Sequence, residues 1–181
     1  PEIRSISTMM RELAEGLYAR GHKVTVITPQ PEDNLPEEAK KRQWSTITQE
    51  GSITIVRIKT FGQRKSNHLW RGLAEFMLPM LYKRAIGKWV KDQIQGVIVY
   101  IPYFPLAQVG AWVKRKYRAR YLLNIQDIFP QNAIDNGIIR NKLIIRLFEY
   151  LEHRAYAEAD ALTTHTSGGR EFLIKKKSVP A

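Results

Sequence analysis

The chain has 181 residues, 44% of them apolar and 25% charged, enough for one domain with a real core and unlike a disordered chain. Lys and Arg number 29 against 17 Asp and Glu, a formal charge of +12, which suits an anionic partner without choosing among nucleic acid, an anionic membrane and phosphorylated ligands. With no cysteine, disulfides, thiolate metal sites and a cysteine nucleophile are excluded, and no run of about 18 apolar residues is present to span a membrane.

Pro1-Glu2-Ile3 is not a signal peptide, and no Met leads it. Ile6, Met10, Leu13, Ala14 and Leu17 recur at steps of three and four, which predicts a helix. Ser5 or Ser7 serves as its N-cap and Arg20-Gly21 as its stop. KVTVIT (23–28) is a β-branched strand, and the proline-rich stretch 29–45 reads as a long loop. SITIVRIK (52–59) is the next strand. From Leu69 to Gln95 the pattern is helical, with Pro79 expected to kink or divide it.

GVIVYIP (96–102) is almost wholly apolar, the pattern of a strand covered on both faces. A helix over about 104–118 follows, then the strand RYLLNIQ (120–126), then helices near 130–136 and 141–157. DALTTHT (160–166) is a short strand, and Ser167 caps a last helix toward Lys175. Helix and strand alternate almost strictly, which predicts an α/β fold: a Rossmann-like three-layer domain with a mainly parallel sheet. The first helix has no strand before it, so a first strand is expected to be missing from this chain.

In such sheets ligands sit beyond the carboxyl ends of the strands. Thr28, Pro102-Tyr103, Gln126-Asp127 and His165-Thr166 all fall at predicted ends. NIQDIFPQNAID (124–135) concentrates polar groups there, namely Asn124, Gln126 and Asp127. A carboxylate at that place can orient or deprotonate a hydroxyl, or it can cap the helix after Pro130. The four His show no metal-ligand spacing, so no metal site is expected. Glu149 and Glu152 read as ion-pair partners of the scaffold.

Four stretches in register resemble the N-terminal domain of glycosyltransferase family 4, the large group of retaining GT-B enzymes. They are PEIRSISTMMRELAEGLYARGHKVTVIT, VYIPYFPLAQVGAWV, NIQDIFPQNAIDNGIIRNK and LFEYLEHRAYAEADALTTHTSGGREFL, the last similar to the family's Glu-x-x-x-Tyr-x-x-Ala-Asp-Ala segment. The chain also resembles transferases that build bacterial surface polysaccharides, such as those of the fucosamine or N-acetylfucosamine type. The resemblance implies residues 1–181 as one acceptor-side domain, the N-terminal half of a GT-B fold. The donor domain, with its Glu-x7-Glu pair, would lie outside this chain, and this half alone would not transfer sugar.

The resemblance also implies roles. Asp127 would be catalytic. Arg4, Ser5, Ser7, Tyr103, Gln126, Asn132 and His165 would bind the acceptor. Many members carry His where Gln126 stands, and Gln126 cannot act as a base. Phe129 takes the Trp place of Gln-Asp-x-Trp-Pro, and Arg4-Ser5 replaces tandem glycines, offering a guanidinium to phosphate. No cofactor is implied; a nucleotide-sugar is the donor and a polyprenyl-diphosphate-linked sugar or a saccharide the acceptor. The place of work would be the cytoplasm, peripheral on the inner face of its membrane. There Trp70, Phe76, Met77, Met80 and Trp89 with Arg71, Lys83, Arg84 and Lys88 make an anionic-interface mix. The basic run Lys114, Arg115, Lys116, Arg118 and Arg120 would extend it. The alternative is a non-enzymatic nucleic-acid or anion-binding Rossmann-like module, but the basic residues are dispersed and nucleic acid is not expected as a partner. A dinucleotide oxidoreductase lacks its Gly-x-Gly-x-x-Gly.

Overall fold

The computed structural model describes residues 2–31, 44–60, 68–101, 104–125, 130–137, 139–177 and 179; the side chains of residues 2–7, 31, 68–75, 104, 132 and 133 lie outside that description. Contacts divide the chain into two compact units, Pro1–Lys91 and Asp92–Ala181. In both, helices and strands alternate, and the fold is α/β and Rossmann-like.

The first unit holds α1 (Glu2–Ala19), β1 (Thr25–Pro31), β2 (Ser45–Glu50), β3 (Ile53–Thr60) and α2 (His68–Trp89). Its sheet has the order β1-β3-β2, with β1 parallel and β2 antiparallel to the central β3. The antiparallel hairpin is absent from the expectation drawn above. Its turn is the pair Gly51-Ser52, with Gly51 at a φ of 59°, the positive angle such a two-residue turn requires. STITQE gave little strand signal because β2 is an edge strand whose Ile47 faces solvent. Arg57 ties the hairpin together by donating to Thr48 and pairing with Glu50.

Strand β1 runs to Pro31, beyond the predicted end at Thr28. The Thr54 amide donates to the Val24 carbonyl, so even-numbered residues of β1 carry the ladder to β3. Pro29 and Pro31 are odd, and their missing donors fall on the outer edge, where this ladder needs none. Helix α2 passes through Pro79 as a single element rather than dividing there, with the proline itself buried. It lays Ala85 on Val56 and Ile58, walled by Ile27, Trp44, Leu81, Tyr82 and Trp89.

The second unit holds β4 (Gly96–Ile101), a 3-10 turn (Phe104–Leu106), α3 (Ala107–Tyr117), β5 (Arg120–Ile125), α4 (Gln131–Asp135), α5 (Lys142–Glu158), β6 (Ala161–Thr164) and α6 (Ser167–Lys177). Its three strands are all parallel, in the order β4-β5-β6. Tyr121, Leu123 and Ile125 of the central strand are buried on the face that meets α3. The other face, with Ile98, Leu122, Asn124 and Thr163, is exposed or half-buried among the described residues, less covered there than the apolar run of β4 led one to expect.

Helix α3 comes close to β5 at a glycine. Gly110 faces the Tyr121 ring, and a Cβ there would land within the ring's own carbon atoms. The Tyr121 hydroxyl then donates to the Ala107 carbonyl at 3.1 Å. Overpacking at such a contact typically costs about 1–3 kcal/mol. Gly110→Ala is therefore expected to lower the thermal midpoint of the intact protein, whereas Gly87→Ala, inside helix α2 and meeting open space, is the control expected to leave it level or raise it.

Candidate functional site

In the parallel sheet, Ile101 pairs with Ile125 and Ile125 with Thr164, so all three strands finish at one edge. In the sequence, Tyr103, Gln126-Asp127 and His165 follow these three strands. This is the edge where parallel α/β sheets take their ligands. His165 is exposed there, between β6 and α6. Tyr103, Gln126 and Asp127 lie outside the described residues, as does the side chain of Asn132 in α4.

Arg4, Ser5 and Ser7 belong to the first unit, and their side chains are not described. Helix α1 begins at Glu2, so the three sit within its first two turns rather than in a turn ahead of it, and neither serine is the N-cap. No Gly or Pro interrupts Ile3 to Ile6.

The described edge is held by scaffold contacts. The Asn124 amide donates to the Thr163 hydroxyl at 2.9 Å, across β5 and β6. One member of the polar group at 124–127 thus has a structural partner. Thr166, not Ser167, caps α6: its hydroxyl accepts from the Gly169 amide at 3.0 Å and its carbonyl from the Arg170 amide at 3.0 Å. A Cβ at Gly169 would stand 2.7 Å from Thr164 Oγ1, so the glycine lets this turn close. The Thr-x-Thr-Ser-Gly-Gly run carried that cap signal, one residue earlier than the serine.

The segment Glu152 to Ala161 proves to be framework. Glu152 is 1% exposed; it accepts from the Tyr156 hydroxyl at 2.9 Å and from Lys177 Nζ at 2.8 Å, locking α6 to α5. Burial first, then the Glu152 charge, pushes the Tyr156 phenol up, so it stays protonated as a donor. Asp160 accepts from Lys114 Nζ at 2.9 Å and from the Tyr121 amide at 2.8 Å, and its own amide donates to the Tyr121 carbonyl. Those hydrogen bonds, Lys114 first and then Tyr121, hold its carboxyl below the usual range. The expectation that Glu152 is a scaffold ion-pair partner is met. Of the basic run, Lys114 and Arg115 pair with Asp160 and Glu158, and Lys116 lies over the Trp112 ring.

A family model for the glycosyl transferase 4-like domain matches residues 5–181. The chain belongs to that family. No curated protein matches it. Membership gives this glycosyl transferase 4-like domain a glycosyltransferase-type function in general, with a sugar donor and an acceptor as partners. Among its described residues there is no group of three or more His, Asp or Glu able to hold a metal. No described helix is long and apolar enough to cross a membrane. On α2, Phe76, Met77 and Met80 are exposed. Trp89 instead turns inward to donate to Ser45 Oγ at 2.8 Å, and Lys88 and Arg84 lie over the Trp44 ring.

Two outcomes are expected of the domain. Glu152→Ala strands Lys177 and the Tyr156 hydroxyl and should cost about 3 kcal/mol in urea unfolding, whereas Glu152→Met with Lys177→Met and Tyr156→Phe, which leaves no polar partner behind, should cost no more than about 1 kcal/mol. Asp160, with its native pKa depressed below 3.8, adds stability above that value and loses it as pH falls from there through the native pKa. Asp160→Asn should therefore flatten the acid limb of stability against pH, read by thermal melting between neutral pH and pH of about 3.

Proposed function

We propose that this domain is the acceptor-side half of a retaining glycosyltransferase. It would move a sugar from a nucleotide-sugar to a polyprenyl-diphosphate-linked or saccharide acceptor of bacterial surface-polysaccharide synthesis. What carries the reading is the common carboxyl edge of β4, β5 and β6 in a chain of the glycosyl transferase 4-like family. Residues 1–181 serve the acceptor, and a donor-binding half elsewhere in the protein completes the enzyme. This half alone is inactive in the reading.

Asp127 is the catalytic residue, placing the acceptor hydroxyl and taking its proton as the new glycosidic bond forms. Gln126 positions that hydroxyl by hydrogen bonding, and Tyr103, Asn132 and His165 line the acceptor. Arg4, Ser5 and Ser7 meet the acceptor phosphate, from the first turns of α1, where backbone amides and a guanidinium both favour anions. No cofactor is required; cations and helix dipoles of the donor half offset the charge on the leaving diphosphate. The enzyme works peripherally on the cytoplasmic face of the membrane, with Phe76, Met77 and Met80 of α2 supplying apolar contact. The nucleic-acid reading gains nothing from the described cations, several of which are spent on Glu50, Glu158, Asp160 and Glu171.

The test compares the intact protein with its Asp127→Asn variant, transferring from a panel of nucleotide-sugars to polyprenyl-diphosphate acceptors in anionic bilayers. The variant should stay folded and bind donor while turnover falls by about a hundredfold or more. Undiminished turnover would make Asp127 a helix cap. Absence of transfer from any donor would favour a binding module.

A further inference from the structure

Helix α5 carries its apolar stripe on the wrong side for an ordinary surface helix. Leu143, Leu147 and Tyr150 stand at i, i+4 and i+7, on one face, and are 74%, 53% and 59% exposed, with Ile144 beside them at 44%. The opposite face is already used: Glu152, Ala155 and Tyr156 are buried, and Ile145 and Phe148 half-buried. A helix on a protein surface normally turns polar residues outward. The first half of α5 is apolar on both sides.

The flank of the outward stripe is cationic. Lys142 and Arg146 are exposed beside Leu143 and Tyr150, and among the described contacts neither makes an ion pair. Arg140 stands just ahead of the Asn141 cap, also exposed. Arg154 continues the stripe, its guanidinium 6.0 Å from the Tyr150 ring centre while paired with Glu158. The one acid in the first ten residues of the helix, Glu149, falls about 120° around from the stripe's centre at 100° per residue.

We propose that this face of α5 is a docking surface for an anionic lipid bilayer. Leu143, Ile144 and Leu147 enter the boundary of the acyl region, Lys142 and Arg146 meet the anionic headgroups, and Tyr150 sits between with its ring apolar and its hydroxyl wet. A second copy of the chain is the poorer occupant, because a self-complementary contact brings Lys142 and Arg146 toward their twins. A neutral apolar partner leaves those cations unanswered. The proposal rests on the membrane part of the reading above and names the surface that serves it in the second unit. Its test needs no sugar transfer.

The intact protein is sedimented with vesicles of phosphatidylglycerol and phosphatidylcholine, and with phosphatidylcholine vesicles alone. Preference for the anionic vesicles is expected, weakened by added salt. Leu143→Ser with Leu147→Ser should lower the partition about tenfold or more, and Lys142→Glu with Arg146→Glu should abolish the anionic preference. Parental binding by both double variants would overturn the proposal, as would a loss seen only with Met80→Ser on α2. A lipid-free dimer that Leu147→Ser splits would assign the face to a second copy and also overturn it. A protein that binds vesicles through α5 yet transfers no sugar supports the surface and sinks only the transfer reading.

Discussion

The Tyr121 side chain is the point on which the second unit turns. Its ring fills the space that Gly110 leaves open, its hydroxyl reaches the Ala107 carbonyl, and its backbone amide and carbonyl both engage Asp160. One residue of β5 thus sets the depth of α3 against the sheet and the register at which β6 begins. Burial keeps the phenol protonated, with the Glu158 charge adding to that effect, so its donor function persists far above neutral pH. The edge that receives the loops inherits its shape from this arrangement. If α3 moved outward, the 3-10 turn leading into it would move too.

The same unit separates framework from chemistry within one family segment. Glu152, Tyr156 and Asp160 are spaced by four, so helical geometry brings the first two together and delivers the third to the start of β6. All three are consumed by internal partners. A carboxylate buried among Tyr156 and Lys177 is poorly placed to exchange protons with a substrate, and Asp160 is committed to Lys114 and to the strand. In the proposed reading the acid that does the chemistry is a different one, Asp127, which follows β5 in the sequence.

Much of the fold was legible because periodicity reports directly on burial. The three-and-four spacing marked α1, the helical pattern from Leu69 marked α2, and the apolar runs marked β3, β4 and β5. What was missed lies where side chains do not decide. Strand β2 presents Ile47 to solvent, so its pattern carries no inward face; its signal was the Gly51-Ser52 turn. Pro29 hid the second half of β1, since a proline reads as a break until the direction of the ladder is known. The scaffold role of Glu152 could be read from its place in a helix, but its partner Lys177, twenty-five positions on, could not. For the site, β4, β5 and β6 do finish at a common edge, as the strand ends suggested, whereas Gln126 and Asp127 lie outside the described residues.

The prolines of β1 have one more effect. Along the outer edge of that strand, the positions that would offer amide hydrogens are Thr25, Ile27, Pro29 and Pro31, and the last two have none to offer. Among the described residues no strand pairs with this border, and one laid along it would find amide donors over the first half only. That half of the border without donors is a poor template for runaway growth into fibrils, a safeguard obtained without placing any charge on the strand.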